Sequence, residues 1–246
     1  MTASALRALH HDRAPGDPLV LPGPWDAASA RAFADAGFPA LATPSAGVAA
    51  SLGYEDGATP AAEMFAAVAR IVRAVPAAVP VSADIEAGYG LAPKELVERL
   101  LDTGAVGCNL EDSDGGTLVD AQRQADRLAE VRAVAGDRLF VNARVDTYIH
   151  GVPDGTDEET EAETVRRALL YVAAGADCVY PIAAPPEALP RLAAAVPAPL
   201  NALARPDGPA PRRLGELGAA RITFGPGLQR RAMAAVREIA DELRKG

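Results

Sequence analysis

The chain has 246 residues, 49% of them hydrophobic and 23% charged, with a formal net charge of −9 at pH 7. That balance suits a chain with a large core and excludes a mainly disordered one. The acidic excess argues against nucleic acid and anionic membrane as partners. No apolar run approaches the roughly 20 residues that cross a bilayer, so a cytoplasmic protein is expected.

In chain order the sequence repeats one pattern, in which an alanine-rich amphipathic helix, a glycine and a short apolar run follow one another. Gly37, Gly104, Gly175 and Gly218 each stand where a helix ends in a left-handed cap before a buried strand. Strands are predicted at 19–21, 40–43, 79–84, 107–111, 139–144, 178–182, 200–202 and 221–224. Helical patterns fall between them, one over 60–74 with Thr59 and Pro60 suited to its cap and first turn. Eight strands alternating with helices predict an α/β fold, a (β/α)8 TIM-type barrel, with an open doubly wound sheet as the alternative. No linker divides the chain, so residues 1–246 are expected to form a single barrel domain. The proline-rich stretch 205–212 is expected to be a loop after the seventh strand, and Gly225-Pro226-Gly227 a tight turn or, less simply, a phosphate cradle.

Chemistry in a parallel barrel gathers at the C-terminal ends of the strands. The third strand runs into Asp84-Ile85-Glu86, the fourth into Glu111-Asp112 and the fifth into Arg144-Val145-Asp146. Period-2 geometry predicts Asp84 and Glu86 on one side, and Asp56 reaches the same rim from its loop. Crowded carboxylates repel unless protons or a cation intervene, and hard oxygen ligands suit Mg²⁺, with Mn²⁺ as the alternative. The cysteines, Cys108 and Cys178, have neither disulfide nor zinc spacing and read as buried thiols.

At these residues the chain resembles the isocitrate lyase and phosphoenolpyruvate mutase superfamily. The matching segments are Trp25-Asp26-Ala27-Ala28-Ser29-Ala30, Ala46-Gly47-Val48-Ala49-Ala50-Ser51-Leu52-Gly53, Asp84-Ile85-Glu86-Ala87-Gly88-Tyr89-Gly90, Asn109-Leu110-Glu111-Asp112 and Asn142-Ala143-Arg144-Val145-Asp146. The resemblance implies that Asp84 binds Mg²⁺ directly and that Asp56, Glu86 and Glu111 hold it largely through water. It implies that Arg144 pairs with a substrate carboxylate or developing oxyanion, that backbone N–H groups around Ser45, Ala46 and Gly47 hold the carboxylate end, and that Trp25 and Tyr89 stand on the substrate side. A homo-oligomer, a tetramer by likeness, is implied too. The final helix, over 228–245, has an apolar stripe at Leu228, Met233, Val236, Ile239 and Leu243 that fits an interface or packing on its own barrel.

The chain departs from the family after Glu111-Asp112. Where lyases of the family carry a long gating loop with a Lys-Cys-Gly type motif, and mutases a lysine and asparagine, 113–117 reads Ser-Asp-Gly-Gly-Thr. Cys108 points to the opposite side of its strand from Glu111 and cannot substitute. Tyr180-Pro181-Ile182 stands where mutases place a histidine. For the missing acid/base, His150 and Tyr89 are candidates beside Glu111, and the segment 146–156 is the candidate for closure. The expected function is a Mg²⁺-dependent carbon–carbon lyase acting on a small 2-oxo or 2-hydroxy carboxylic acid through a metal-stabilised enolate. Alternatives are a phosphonopyruvate-type enzyme acting on a phosphorus–carbon bond and a noncatalytic carboxylate-binding barrel.

Overall fold

A computed structural model describes residues 2–11, 13–151 and 155–245. It opens with α1 (Ala3–His10), β1 (Leu19–Val20), α2 (Ala27–Asp35), β2 (Leu41–Ala42), α3 (Ser45–Leu52), α4 (Ala61–Ala74), β3 (Val81–Asp84), α5 (Pro93–Asp102) and β4 (Gly107–Glu111). A two-stranded hairpin, β5 (Ser113–Asp114) and β6 (Thr117–Leu118), leads into α6 (Ala121–Ala135). Then come β7 (Phe140–Val145), α7 (Thr147–His150), α8 (Asp157–Ala173), β8 (Cys178–Pro181), α9 (Leu189–Ala195), β9 (Asn201–Leu203), α10 (Pro211–Glu216), β10 (Arg221–Thr223) and α11 (Gly227–Lys245).

Eight of the strands among the described residues pair in parallel, as a five-stranded sheet β2-β3-β4-β7-β8 and a three-stranded sheet β1-β10-β9. An isolated bridge between Val179 and Leu200 joins the two sheets on one side. On the other, the Ala42 N–H donates to the Pro22 carbonyl at 3.2 Å. Each predicted strand is present within two residues at either end. The four junction glycines have φ of 88°, 84°, 96° and 107°, the left-handed conformation that β-carbon sterics disfavour. One expectation fails locally. Helix α4 begins after Pro60 without a side-chain cap, and Thr59 is buried with its hydroxyl unpartnered. Its side chain has turned into the protein, away from the helix N–H groups.

Alternation along the strands separates two environments. Ala83, Cys108, Leu110, Val141, Ala143, Val145 and Val179 belong to the apolar layer under the helices, packed with Val68, Leu96, Leu100, Leu128 and Tyr171. The intervening positions, Asp84, Asn109, Arg144, Tyr180 and Thr223 among them, turn to the other face and line a cavity at the strands' C-terminal ends. Helix α1 covers the opposite end. Leu6 lies over Gly107, where a β-carbon would come 2.9 Å from Leu6 Cδ2, and His10 stacks on Phe140 with ring centroids 4.2 Å apart.

Asp177, just before β8, fastens α1 to this end of the sheet. It receives Arg7 Nε at 2.7 Å, Arg132 Nη2, and the Val141 N–H at 2.7 Å, and its side chain is only 17% exposed. Removing the carboxylate leaves the half-buried Arg7 and Arg132 guanidiniums with backbone carbonyls alone and no counter-charge. Asp177→Ala is therefore expected to lower unfolding free energy by about 3 kcal/mol in urea titration. A loss below about 0.5 kcal/mol, the range of ordinary surface substitutions, would reject this anchoring role.

Candidate active site

The strand register brings the polar rim residues side by side. Asp84 is paired with Asn109, Glu111 with Arg144, and Arg144 with Tyr180. Arg144 is gripped from two directions. Its Nε and Nη2 donate to Asp146 Oδ1 and Oδ2 at 2.6 and 2.9 Å, and Nη1 lies 2.5 Å from Glu111 Oε2. Asp146 is fully buried and is itself held by the Ser113 hydroxyl at 2.5 Å. Its N–H donates to Asp112 Oδ1 at 2.8 Å, while Asp112 Oδ2 accepts from Arg167 at 3.0 Å and from the Tyr171 hydroxyl at 2.7 Å. Helix α8 thus braces the guanidinium through two carboxylates.

Across the cavity, Asp84 Oδ2 accepts from the Ser45 hydroxyl at 3.0 Å and from the Ser45 N–H at 3.4 Å. Burial pushes the Asp84 carboxyl above its ordinary value, against the opposing pull of Arg144 and Ser45. Burial, then the charges of Asp84 and Asp56, raise Glu86 to about 7. Glu111 rises to about 8, chiefly by burial, although Arg144 opposes the shift. Burial disfavours the Arg144 cation, but Asp84, Asp146 and Glu111 outweigh it and hold the guanidinium above its ordinary range.

The cavity between these walls measures about 170 Å³, and Asp56, Asp84, Arg144, Ser45 and Ala46 line it. Glu86 and Glu111 stand behind the lining yet are electrostatically coupled to it. The period-2 argument for Glu86 does not hold, because β3 ends at Asp84 and Glu86 has a left-handed φ of 51°. Its carboxylate reaches the site through a turn, with Oε1 buried and unpartnered. Gly47, Trp25, Tyr89 and His150 are not among the lining residues. Trp25 packs edge-on against Phe33, and Tyr89 against Phe65. His150 turns its Nε2 toward Asp146, 4.0 Å away. Of the segment 146–156, residues 152–154 lie outside the described residues; the part before them folds into α7, which sends Ile149 to the cavity.

The lining residues that the sequence reading did not single out include Asn109, Ile149, Tyr180 and Thr223. Strand parity or strand-end position could have found three of them. Asn109 lies two residues before Glu111, Tyr180 is in register with Arg144, and Thr223 lies at the C-terminal end of its strand, in register with Leu203. Ile149 carries no such signal. The segment 113–117, which stands in place of the family's gating loop, is a closed hairpin whose Gly115 and Gly116 have φ of 55° and 79°, both central turn residues being left-handed. Cys108 lies in the apolar layer as expected, its thiol pushed up to about 12 by burial. Among the described residues no three His, Cys, Asp or Glu side chains converge closely enough to cage a metal by themselves.

The sequence profile of the phosphoenolpyruvate phosphomutase family matches residues 6–244. The Mycobacterium tuberculosis H37Rv protein Rv1998c is 39% identical over 219 residues, covering 88% of this chain and 80% of its own. The crystal structure of 2,3-dimethylmalate lyase, a member of the phosphoenolpyruvate mutase/isocitrate lyase superfamily, superposes with a TM-score of 0.83 at 28% identity, covering 99% of this chain and 87% of that one. Phosphonopyruvate hydrolase, solved with oxalate and Mg²⁺, superposes with a TM-score of 0.84 at 25% identity, covering 100% of this chain and 88% of that one. With a family profile running almost end to end and an acidic rim facing one arginine, this chain belongs to the phosphoenolpyruvate phosphomutase family, within the isocitrate lyase/phosphoenolpyruvate mutase superfamily of enzymes.

Proposed function

We propose that the chain is a Mg²⁺-dependent carbon–carbon lyase, with Mn²⁺ the alternative ion, acting on a small 2-oxo or 2-hydroxy carboxylic acid. We take its eight parallel strands to close as one (β/α)8 barrel domain over residues 1–246, which the Val179–Leu200 bridge and the Ala42–Pro22 hydrogen bond support. The observation that carries the reading is an acidic floor set across a small cavity from one braced guanidinium. Three carboxyls, Asp84, Glu86 and Glu111, are raised chiefly by burial, the last two also by the Asp84 charge, and a divalent cation would favour their ionised forms. Asp84 is the direct ligand, steadied by Ser45, and Asp56, Glu86 and Glu111 act through water. That ligand set suits an ion that keeps most of its water, and among the described residues no three-ligand cage stands against it.

A divalent ion held by these carboxylates would supply Lewis-acid polarisation of the substrate's 2-oxygen. The chain's own groups do the rest. Arg144 binds a substrate carboxylate with the N–H groups that Asp146 and Glu111 leave free. In retro-aldol cleavage the Glu111 carboxylate, behind the cavity lining, accepts the 2-hydroxyl proton through one water as the C2–C3 bond breaks. The electron pair passes to the C3 fragment, and Glu111 returns the proton to C3. Arg144 is the only cationic side chain among the described residues lining the cavity. A phosphonate dianion or a tricarboxylate calls for more positive charge than that, which favours a compact carboxylate over phosphonopyruvate or isocitrate. The family profile favours the second reading, phosphorus–carbon chemistry on the same site.

The two readings separate in one assay. Substituted malates and oxaloacetate incubated with enzyme and Mg²⁺ should release a 2-oxo acid, and EDTA or Asp84→Ala should reduce the rate by at least about 100-fold with the fold retained. Phosphate release from phosphonopyruvate without malate cleavage would replace the first reading with the second. No turnover on any of them would leave a noncatalytic carboxylate-binding barrel.

Protonation supplies a second test. A carboxyl raised from 4.5 to about 7 or 8 in the folded protein contributes stability below about 4.5 that is lost as pH rises through 7 to 8. A cation relieves that loss and competes with the same protons. MgCl₂ should therefore raise Tm by several degrees near pH 8 and by much less near pH 6. An equal gain at both pH values would separate the ion from these carboxylates.

We also propose a homo-oligomer, a tetramer by likeness. Val236, Ile239 and Leu243 on α11 are 51%, 56% and 79% exposed, so the final helix does not bury its stripe on its own barrel. Sedimentation should give a multiple of the chain mass at micromolar concentration, and Ile239→Glu with Val236→Glu should reduce it. A monomeric wild type would reject the proposal.

A further inference from the structure

Beneath the cavity, toward α1, inward positions carry polar side chains where barrels ordinarily stack branched aliphatics. Arg221 on β10 is the extreme among the described residues. It is fully buried, makes no ion pair, and donates from Nη2 alone, to Asn109 Oδ1 at 3.3 Å. Its Nε and Nη1 have no partner. A guanidinium so placed is among the costliest groups a protein can bury, and burial lowers it from its ordinary value.

Unused acceptors lie around it, and the hydrogen bonds already present fix which atoms they are. Asn109 Oδ1 also receives Asn142 Nδ2 at 2.8 Å, so the atom Asn142 has left over is its oxygen. Asn201, in register with Arg221, donates Nδ2 to Thr223 Oγ1 at 2.8 Å and to the Ala202 carbonyl at 3.3 Å, again leaving its oxygen. His10 Nδ1 lies 2.7 Å from the Leu6 carbonyl, which only accepts, so Nδ1 carries the proton and buried Nε2 is a bare lone pair. Burial and the nearby Arg221 charge hold that imidazole at about 3, hence neutral.

Two donor atoms on Arg221 and three acceptors are therefore buried without partners, with the unpartnered Ser82 hydroxyl able to serve either way. An anion would satisfy the arginine and repel the acceptors. A cation would do the reverse. Water, which donates and accepts, satisfies both sets.

We propose that the space beneath the cavity holds fixed water molecules joining Arg221 to Asn142, Asn201 and His10, and that Arg221 is a positioning residue acting on the cavity through Asn109. Asn109 is the connection, because it lines the cavity and accepts from both Arg221 and Asn142. Only the binding arm of the test rests on the carboxylate reading given above.

Crystals of the full chain diffracting well enough to order water should show at least two molecules bonded to Arg221 Nε and Nη1, one of them reaching His10 Nε2. A bromide soak should leave that space without anomalous density. A dry space, or a bromide peak on Arg221, would overturn the proposal. Oxalate titrated calorimetrically in MgCl₂ should bind Arg221→Met about tenfold more weakly than wild type, with Arg221→Lys recovering part of the loss. Unchanged oxalate affinity in folded Arg221→Met would refute the positioning role, whatever its effect on Tm. Should Arg221→Met not fold, the Arg221→Lys comparison carries the same outcomes. If wild type binds no oxalate, the carboxylate reading fails separately, and the Asn109 side chain in crystals of the variant decides. An unmoved Asn109 overturns the proposal.

Discussion

The rim of this protein depends on the pairing of Arg144 with Asp146. Both oxygens of a fully buried carboxylate hold one edge of the guanidinium, and Glu111 holds another nitrogen. Such a pair is stable only when the remaining lone pairs are satisfied, since desolvating both ions offsets much of their attraction. Ser113 fills that requirement at Asp146, and Arg167 and Tyr171 fill it one step back at Asp112. Hairpin, strand β7 and helix α8 are thereby coupled through two carboxylates, Asp146 and Asp112, and the direction in which Arg144 points is set before any ligand arrives.

Alternation along the strands explains how such a polar rim coexists with a stable fold. The side chains that hold the helices and the side chains that line the cavity occupy successive positions, so a change in one set leaves the other in place. Cys108 and Asn109 show the division at adjacent residues, one sealed in the apolar layer and the other on the cavity wall.

Much of this was legible in the sequence, for identifiable reasons. Apolar runs, helix-ending glycines and an eightfold repeat are local signals, and they located the eight strands and the rim carboxylates. Asp84, Asp56, Ser45, Ala46 and Arg144 do meet at one cavity. The misreadings share a cause, since each depended on backbone direction outside a regular element. Glu86 lies past the end of its strand in a left-handed turn, and Thr59 turns inward instead of capping. Tyr180 was weighed for the histidine it replaces, although parity with Arg144 already placed it on the wall.

The two-glycine hairpin also bears on how members of such a family diverge. A β-carbon at Gly115 or Gly116 would meet nothing within 4 Å, so the tip projects into open space. The base of the same hairpin is tied into the rim through Ser113. Lengthening a loop raises its closure entropy slowly, by about 0.6 kcal/mol for each doubling. The tip is thus a neutral port into which cover segments of different length and chemistry could be grafted, or from which they could be deleted, while the anchored arginine below stays in register.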